Sequence, residues 1–361
     1  MLDAMDERRA AALFARLPSL TAQDVHAALA RAGDLAAAAE LIRASHGVRA
    51  VAEPLLDHDL RWLEASGATA VLCTSALFPA RLAGTAEAPP VIYVLGDVRT
   101  LAKPQVAMVG SRRATPAGLA TAHEIAVALA RAGFTVASGL AVGIDAACHE
   151  GALEAGGATL AVCAHGLDVL YPRLHHSLAQ RIREGGALIS RFPPGTPPAR
   201  WRFPARGRML SGIALATLVV EAARSSGSLH TANAAMRQGR PVYAVPGSIR
   251  SPVSAGCHAL IKSGARIAEN AADVLRGLEI YTKNQIPTNT YRPELRAAPT
   301  GAPLDKASEI LLDALGFEPV SLNTLVERTG LPSSGIASLL LGLELAGRVA
   351  PQPGGRYSRL S

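Results

Sequence analysis

The chain has 361 residues, of which 49% are hydrophobic, 36 are Lys or Arg and 29 are Asp or Glu, so its formal net charge is +7. This length and apolar content predict two or three domains with real cores and exclude a disordered chain. Residues 1–102 carry a net −3 (9 basic, 12 acidic), residues 103–276 a net +10 (19 basic, 9 acidic), and residues 277–361 a net 0 (8 of each). This partition excludes a basic tail and favours a polyanion-facing surface on the middle segment, with ordinary solubility charge as the alternative.

The N-terminal sequence and the cysteines bear on targeting and on redox state. The N-terminal residues mix acids with bases without an apolar run, and no stretch of about 18 apolar residues occurs, so we predict neither a signal peptide nor a transmembrane helix. Cys73, Cys148, Cys163 and Cys257 form no CxxC pair, which is typical of reduced thiols. We therefore expect a cytoplasmic protein without a disulfide framework.

The first hundred residues predict helices followed by a mixed segment. Residues 1–50 read as short Ala-rich helices, with Thr21 as the N-cap of a helix that Gly33 ends. A lead-in follows, with a helix near Leu60–Ser66 and an apolar strand at Pro90–Leu95. We expect this lead-in to pack on the next domain.

Residues 104–276 alternate short apolar runs with amphipathic segments, which is typical of βαβ units and of a parallel sheet buried on both faces. The fold class is therefore α/β, with a central doubly wound, mostly parallel, Rossmann-like sheet domain. Strands are predicted at Val106–Val109, Phe134–Ser138, Thr159–Cys163, Leu188–Ser190, Thr217–Val220, Pro241–Val245 and Ala265–Ile267. Helices are predicted at Pro116–Ala132, Ile144–Ala155, His175–Glu184, Leu229–Gln238 and Cys257–Ser263.

The last part of the chain predicts a linker and a winged-helix-like domain. Residues 280–304 contain four Pro and show no periodicity, which indicates a linker. The winged-helix pattern consists of helices Lys306–Leu315, Ser321–Thr329 and Gly335–Ala346 and a hairpin over Arg348–Tyr357. The helix at Gly335–Ala346 has one Glu and no base, so a protein contact is at least as well supported there as a DNA contact.

Small-residue turns follow four of the predicted strands, and an open parallel sheet brings such turns to one edge. Glycines let backbone N–H groups approach an anion, and a helix N-terminus adds partial positive charge. The turns lie at 110–113, 138–143, 225–228 and 246–248, and they predict a phosphate-binding edge. Neither a GxGxxG fingerprint nor a P-loop is present, which disfavours a nicotinamide dehydrogenase and a P-loop ATPase.

Five arginines occur within 18 residues without an acid, and two aromatic residues lie among them. Arg binds phosphate through its fork of N–H donors, and an aromatic face stacks an unpaired base. This pattern favours single-stranded nucleic acid, with a solvated loop as the alternative. The residues are Arg191, Arg200, Arg202, Arg206 and Arg208, with Trp201 and Phe203 between them.

Catalytic and metal-binding interpretations have weaker support. Asp145 and His149 lie one helical turn apart near Ser138, but the GxSxG elbow of a hydrolase triad is absent. Glu221 is the remaining acid/base candidate, although a capping or ion-pair role is better supported. A zinc site would use the pairs Cys148/His149, Cys163/His165 and Cys257/His258, but these lack metal-binding spacing. We predict no catalytic residue, no metal and no cofactor.

Six motifs then occur in a specific order. They are VAMVGSRRATPAG (106–118), ASGLAVGIDAACHEGAL (137–153), GLDVLYP (166–172), FPARGRMLSG (203–212), VVEAARSSGSLHTANAA (219–235) and AVPG (244–247). Together they resemble the DprA (Smf) family of DNA-processing proteins, over about Pro54 to Leu275. The resemblance implies a cytosolic bacterial protein that binds single-stranded DNA, forms a homodimer, and loads RecA recombinase on incoming DNA during natural transformation, without catalysis.

The resemblance also implies which residues bind DNA. The family's Gly-Ser-Arg turn, its Ser-Gly turn, its Arg-X-Arg segment, its Ser-Gly-Ser turn and a basic residue after Leu-Ile each have a counterpart here. The predicted DNA-binding residues are Gly110, Ser111, Arg112, Arg113, Ser138, Gly139, Arg206, Arg208, Ser226, Gly227, Ser228 and Lys262. The chain departs from the family at Gly207, His175 and His258, where Asn is usual, at Ala164, where Gly is usual, and at Arg191, where Glu is usual.

The predicted domain division fits the same family. It comprises a small helical (SAM/HhH-like) module at 1–53, a Rossmann-like DNA-binding domain with its lead-in at 54–278, a linker at 279–305 and a winged-helix-like domain at 306–361. Two alternatives stay open. One is a Rossmann-like hydrolase of nucleoside monophosphates, although its PGGxGTxxE turn is absent. The other is a transcription regulator that acts through the C-terminal domain.

Overall fold

The computed structural model describes residues 4–17, 19–45, 53–282, 305–316 and 319–360. The N-terminal part of these residues is helical, as the sequence predicted. Its helices are α1 (Ala4–Ala15), α2 (Ala22–Ala32) and α3 (Leu35–Ser45).

Both ends of α2 lie where the sequence placed them. The Thr21 hydroxyl accepts a hydrogen bond from the Asp24 N–H, and the Asp24 carboxylate accepts one from the Thr21 N–H, which makes a capping box. Gly33 ends the helix in the left-handed conformation at φ 84°. The predictions for Thr21 and Gly33 are confirmed.

A buried ion pair joins the helical module to the rest of the molecule, in addition to a shared hydrophobic core. Helix α4 (Glu53–Ser66) is longer than the predicted Leu60–Ser66 and carries Asp59, which is fully buried. The Arg16 guanidinium donates to both Asp59 oxygens at 2.7 and 2.6 Å and to the Pro194 carbonyl at 3.1 Å. This one side chain therefore connects the N-terminal helices, α4 and a loop of the sheet domain.

The central domain is a nine-stranded sheet with strand order β1-β2-β6-β5-β4-β3-β7-β8-β9. Strands β3 to β9 are parallel, and β2 joins them by antiparallel pairing with β6. The strands are β1 (Thr69–Leu72), β2 (Val91–Gly96), β3 (Gln105–Val109), β4 (Thr135–Ser138), β5 (Thr159–Cys163), β6 (Ala187–Ser190), β7 (Ala216–Val219), β8 (Val242–Ala244) and β9 (Arg266–Ile267). The mostly parallel, doubly wound prediction is confirmed.

The helices of this domain cover both faces of the sheet. They are α5 (Ala80–Ala83), α6 (Pro116–Arg131), α7 (Ile144–Glu154), α8 (His176–Gly185), α9 (Arg202–Ile213), α10 (Ser228–Arg237), α11 (Ala255–Lys262) and α12 (Ala271–Thr282). Strands β3 and β5 are buried along their whole length, which is typical of a central parallel strand. Every predicted strand and helix of the segment from 104 to 276 lies within two residues of its observed bounds.

Five strands and α-helices were not predicted, among them α5 and α12, and of these α9 matters most. Gly207, Gly212 and Pro204 made its sequence look like a loop, because these residues have low helix propensity. Pro204 lies in the first turn, where a missing N–H is tolerated, and the buried face of α9 includes Met209, Leu210 and Ile213. Strand β1 and a two-residue strand in the C-terminal domain, Val320–Ser321, were also missed.

The C-terminal domain is a winged helix with a core of its own. Its elements are α13 (Lys306–Leu315), β10 (Val320–Ser321), α14 (Leu322–Thr329), α15 (Ser333–Leu345), β11 (Val349–Gln352) and β12 (Arg356–Arg359). The three strands pair in the order β10-β12-β11 over a cluster that includes Leu311, Leu325, Ile336 and Leu340. Helix α12 runs to Thr282, past the predicted domain end at 278, and most of the predicted linker lies outside the described residues.

Within the part of the chain that the structure describes, none of the helices combines the length and apolarity needed to cross a bilayer.

Candidate nucleic-acid interface

The sheet changes its winding direction between β3 and β7. The chain proceeds from β3 outward through β4, β5 and β6 on one side, and from β7 outward through β8 and β9 on the other. The crevice outside the carboxyl ends of strands at such a point is the usual ligand site of an open α/β sheet. Here it is a cleft of 870 Å³, walled by the turns after β3 and β7 and by the start of α9.

The turn after β3 rests directly on the turn after β4. The Ile144 N–H donates to the Ser111 carbonyl at 3.2 Å. Gly143 has φ +84°, and a Cβ there would lie 2.3 Å from the same carbonyl oxygen. This close contact leaves the Arg112 and Arg113 side chains exposed at the cleft.

A buried ion pair organises the turn after β4. The Asp145 carboxylate accepts hydrogen bonds from the Gly139 and Ala141 N–H groups at 3.1 and 3.3 Å and lies 3.8 Å from the Arg206 guanidinium. A Cβ at Gly139 would overlap that guanidinium at 1.1 Å. Burial raises the pKa of Asp145 and lowers the pKa of Arg206, and each charge opposes the shift of the other. Arg206 is 9% exposed, so it helps to support the cleft from below.

An aromatic platform lies beside these cations. The Phe203 ring has the Arg112 guanidinium 5.2 Å and the Arg206 guanidinium 5.7 Å from its centroid. The Tyr171 ring meets it edge-on at 6.2 Å, and both rings line the cleft. A ring flanked by guanidinium groups suits stacking of an unpaired base next to a phosphate.

The opposite wall is the Ser-Gly-Ser turn at the N-terminus of α10. The Ser226 and Ser228 hydroxyls are hydrogen-bonded to each other at 2.7 Å, and Gly227 precedes the first residue of the helix. The helix dipole favours an anion at this position, while the Leu229 and His230 N–H groups donate to the Ser226 and Gly227 carbonyls at 3.2 and 3.1 Å. His230, the third residue of α10, also lines the cleft.

The structure brings most of the predicted site together and separates the rest. Ser138 is fully buried, and its hydroxyl donates to the Met108 carbonyl at 2.6 Å. Arg208 forms an ion pair with Glu87 at 2.9 Å, and Lys262 is the exposed last residue of α11, so neither lines the cleft. Gly139 lines a smaller adjoining cavity. The residues that line the cleft are Gly110, Ser111, Arg112, Arg113, Arg206, Ser226, Gly227 and Ser228.

Sequence reasoning missed several cleft residues. Arg200 belonged to the arginine cluster but was not assigned to the site, and its exposed side chain lines the cleft. Tyr171 and Asp145 reach the site through loop geometry that no local pattern reveals. His230 could have been found from its position two residues after the Ser-Gly-Ser motif.

At two positions where this chain departs from the family pattern, the histidine makes a hydrogen bond at this edge of the sheet. The His175 Nδ1–H donates to the carbonyl of Leu140, a residue held at φ 59°, over 2.9 Å. The His258 Nε2–H donates to the Gly247 carbonyl over 3.0 Å. Each imidazole therefore holds a turn that follows a strand. At the third departure, a Cβ on Gly207 would lie 2.7 Å from the Thr231 hydroxyl, which leaves little room for a larger side chain.

The residues considered for catalysis are bonded elsewhere. The Thr159 hydroxyl donates its own proton to the Val136 carbonyl. It therefore accepts a hydrogen bond from the His149 Nδ1–H at 2.7 Å. The Glu221 carboxylate accepts from the N–H and the hydroxyl of Thr115, at 2.9 and 2.7 Å. The four cysteines are free and buried, and among the described residues no three His, Cys, Asp or Glu side chains are grouped to hold a metal.

Comparisons with protein families match both halves of this architecture. Residues 69–279 match the family described as DNA recombination-mediator protein A, and residues 296–355 match the DprA winged helix domain. Protein Smf of Escherichia coli is 38% identical over 309 residues, which are 84% of this chain and 81% of that protein. DNA processing protein DprA of Streptococcus pneumoniae is 39% identical over 202 residues, which are 56% of this chain and 71% of that protein.

Solved structures agree with the fold. The X-ray structure of DprA from Streptococcus pneumoniae superposes with a TM-score of 0.62 at 32% identity and covers 73% of this chain and 95% of that one. DNA processing protein A from Helicobacter pylori, whose structure is described for its single-stranded DNA binding mode, has a TM-score of 0.54 at 26% identity. That match covers 59% of this chain and 96% of the other.

Proposed function

Since the chain belongs to the DNA recombination-mediator protein A family, also named DprA or Smf, we propose that its cleft binds single-stranded DNA. One observation carries the proposal. Exposed arginines, a helix N-terminus and an aromatic ring converge on one 870 Å³ cleft at the point where the sheet changes direction. That combination offers contacts to phosphates and to the face of an unpaired base.

The two walls of the cleft have different tasks in this proposal. Phosphates lie between the Ser-Gly-Ser turn at the positive end of the α10 dipole and the side chains of Arg112, Arg113 and Arg200, which supply charge without reading sequence. Bases face Phe203, and stacking on a ring tolerates any base. Paired bases keep their faces inside the duplex, so this platform favours a single strand.

The family membership supports finer proposals that the cleft itself does not address. We propose that the protein acts in the cytoplasm as a homodimer and loads RecA recombinase on incoming DNA during natural transformation. We also propose that it binds DNA without chemical turnover, because Asp145, His149 and Glu221 each serve structural hydrogen bonds.

The test replaces two exposed arginines of the cleft with glutamate. For Arg112→Glu/Arg200→Glu we expect single-strand affinity to fall by at least about 10-fold, because two phosphate contacts become repulsive. The slope of log affinity against log salt should become shallower by roughly 1.4, since each single-strand phosphate contact contributes about 0.7. Fluorescence anisotropy with a labelled oligonucleotide over a salt series measures both quantities.

The matched control is Arg131→Glu. Arg131 is exposed at the last residue of α6, the helix that begins beside the cleft, so this control repeats one of the two charge reversals about 20 Å away. We expect wild-type affinity from this control. Equal losses in the cleft variant and the control would reject the cleft as the binding site.

A further inference from the structure

A second basic groove lies at the other end of α10. It has a volume of 380 Å³ and is walled by the loop after α5, including Thr85 and Glu87, and by Arg237, Gln238 and Arg240. The first residue of α10 borders the DNA cleft and Arg237 is its last, so about 14 Å of helix separate the two sites. The sequence-based site included none of these groove residues.

Positive charge is concentrated around this groove. Arg240 donates hydrogen bonds to the Ala214 and Arg81 carbonyls, and burial together with the nearby Arg81 lowers the pKa of Arg240 to about 10. Arg208 lies beside the groove in its ion pair with Glu87. Arg237 is exposed at the rim.

Arg191 is the fifth arginine of this cluster and increases its excess of positive charge. Its side chain is partly buried, and among the described residues it has neither a hydrogen bond nor an ion pair within salt-bridge distance. Burial and then the nearby Arg208 lower the pKa of Arg191, and Glu87 opposes this shift. Five guanidinium groups therefore lie in or beside the groove (Arg81, Arg191, Arg208, Arg237 and Arg240), whereas Glu87 is the single acid among the described residues that line it.

We propose that this groove is a second anion site that binds phosphate groups. Partly buried like charges repel one another, and an anion between them removes that cost while it satisfies free N–H donors. Guanidinium forks match phosphate oxygens better than they match spherical anions. The inference does not depend on the DNA cleft, since no residue of the groove lines it.

Two sources can supply this chemistry. One is a DNA strand that leaves the cleft and continues around the sheet domain, and the other is a free nucleotide. Both present phosphates at a spacing that several arginines can contact, so the test first establishes phosphate binding and then separates the sources.

The first arm uses pyrophosphate and the full chain. In the Arg112→Glu/Arg200→Glu background, which removes cleft cations, isothermal titration calorimetry at constant ionic strength should still detect binding. Adding Arg191→Gln/Arg237→Gln should weaken it by about 10-fold or more, because two charge-assisted contacts are lost. Arg191→Lys/Arg237→Lys keeps the charge and should retain most of the binding, which separates lost contacts from misfolding. Pyrophosphate affinity that is unchanged by the Gln pair overturns the proposal.

The second arm introduces Arg191→Gln/Arg237→Gln into the otherwise wild-type chain. A continuing strand predicts weaker binding of an oligonucleotide of about 30 nucleotides and unchanged binding of one of about 6, which fills the cleft alone. A free nucleotide predicts weaker ATP binding and unchanged binding of both oligonucleotides. If none of these three affinities changes, the assignment of the groove to nucleic acid or nucleotide is overturned. Failure of the cleft variant to lose DNA would count against the proposed function and not against this groove.

Discussion

At the scale of single residues, the Asp145–Arg206 pair shows how a buried charge serves a binding site. A buried pair of this kind adds little net stability, because the loss of hydration offsets most of the attraction. Its effect here is positional. Asp145 fixes the Gly139 and Ala141 N–H groups, and Arg206 fills the space above Gly139. The turn after β4 is thereby held in one conformation without any ligand.

His149 leads to a prediction about acid stability. It is fully buried, and burial lowers its pKa from 6.5 to about 3. Between these values the unfolded chain binds more protons than the folded one, so this stability is complete above pH 6.5 and is lost as the pH falls toward 3. From pH 7 to pH 5 we expect His149 to cost about 2 kcal/mol of unfolding free energy.

The measurement compares urea unfolding of the wild type and His149→Asn at pH 7 and pH 5. Asn keeps an N–H donor near Thr159 but does not titrate, so the variant should lose about 2 kcal/mol less than the wild type over this range. His26→Asn, at an exposed position on α2, should keep the wild-type pH dependence. Equal pH dependence in the wild type and His149→Asn would contradict the prediction.

At the scale of elements, the turns after β3 and β4 form one interlocked unit. For Gly143→Ala we expect a destabilisation of about 3 kcal/mol, since a residue with a Cβ is strained at φ +84° and also meets the Ser111 carbonyl at 2.3 Å. The same displacement moves Arg112, so single-strand affinity should fall by about 10-fold. Urea midpoints and fluorescence anisotropy measure the two effects.

The control variant Gly133→Ala introduces backbone strain without a steric clash. Gly133 has nearly the same φ, +87°, but a Cβ there meets no atom within 4 Å. We expect it to cost about 1 kcal/mol, from backbone strain alone, and to leave DNA affinity unchanged. Equal effects of the two substitutions would show that the contact between the turns does not position the cleft.

The elements that the sequence predicted correctly are those with a strong local signal. Strands such as Thr159–Cys163 are continuous apolar runs between turns, and their bounds follow from that pattern. Helix α9 was missed because tertiary burial of Met209 and Leu210 outweighs the low propensity of Gly207 and Pro204. Strand β10 has two residues and no pattern of its own, since it forms by pairing with β12.

The missed helix also explains why two of the predicted site residues, Arg206 and Arg208, lie apart. Arg206 and Arg208 looked like one Arg-X-Arg unit, but residues two apart on a helix point about 200° away from each other. Arg206 therefore faces Asp145 beneath the cleft, and Arg208 faces Glu87 outside it. The glycine and serine turns were placed better, because the carboxyl edge of a parallel sheet follows from strand order alone.

At the scale of the whole molecule, the distribution of charge and the hydrophobic cores both separate the sheet domain from the C-terminal domain. The net +10 of residues 103–276 lies on the domain that carries both basic sites, whereas residues 277–361 are neutral. The winged helix also has a separate hydrophobic cluster, which shares none of its buried residues with the clusters of the sheet domain. The C-terminal domain is therefore not needed to complete the core that positions the cleft.

This division predicts the behaviour of a chain that ends at Leu304. Helix α15 presents Leu341 and Leu345, which are 59% and 83% exposed, together with Glu344 and no base, so its side chains offer no positive charge to a phosphate. We expect the shortened chain to bind single-stranded DNA within about 2-fold of the full chain and with the same salt slope, since no phosphate contact is lost. Anisotropy titrations over a salt series, with circular dichroism to verify folding, make the comparison. A transcription regulator that reads DNA through its C-terminal domain predicts the opposite, namely sequence-dependent duplex binding that disappears on truncation. Retained single-strand binding together with loss of a protein partner would assign protein contacts to the C-terminal domain.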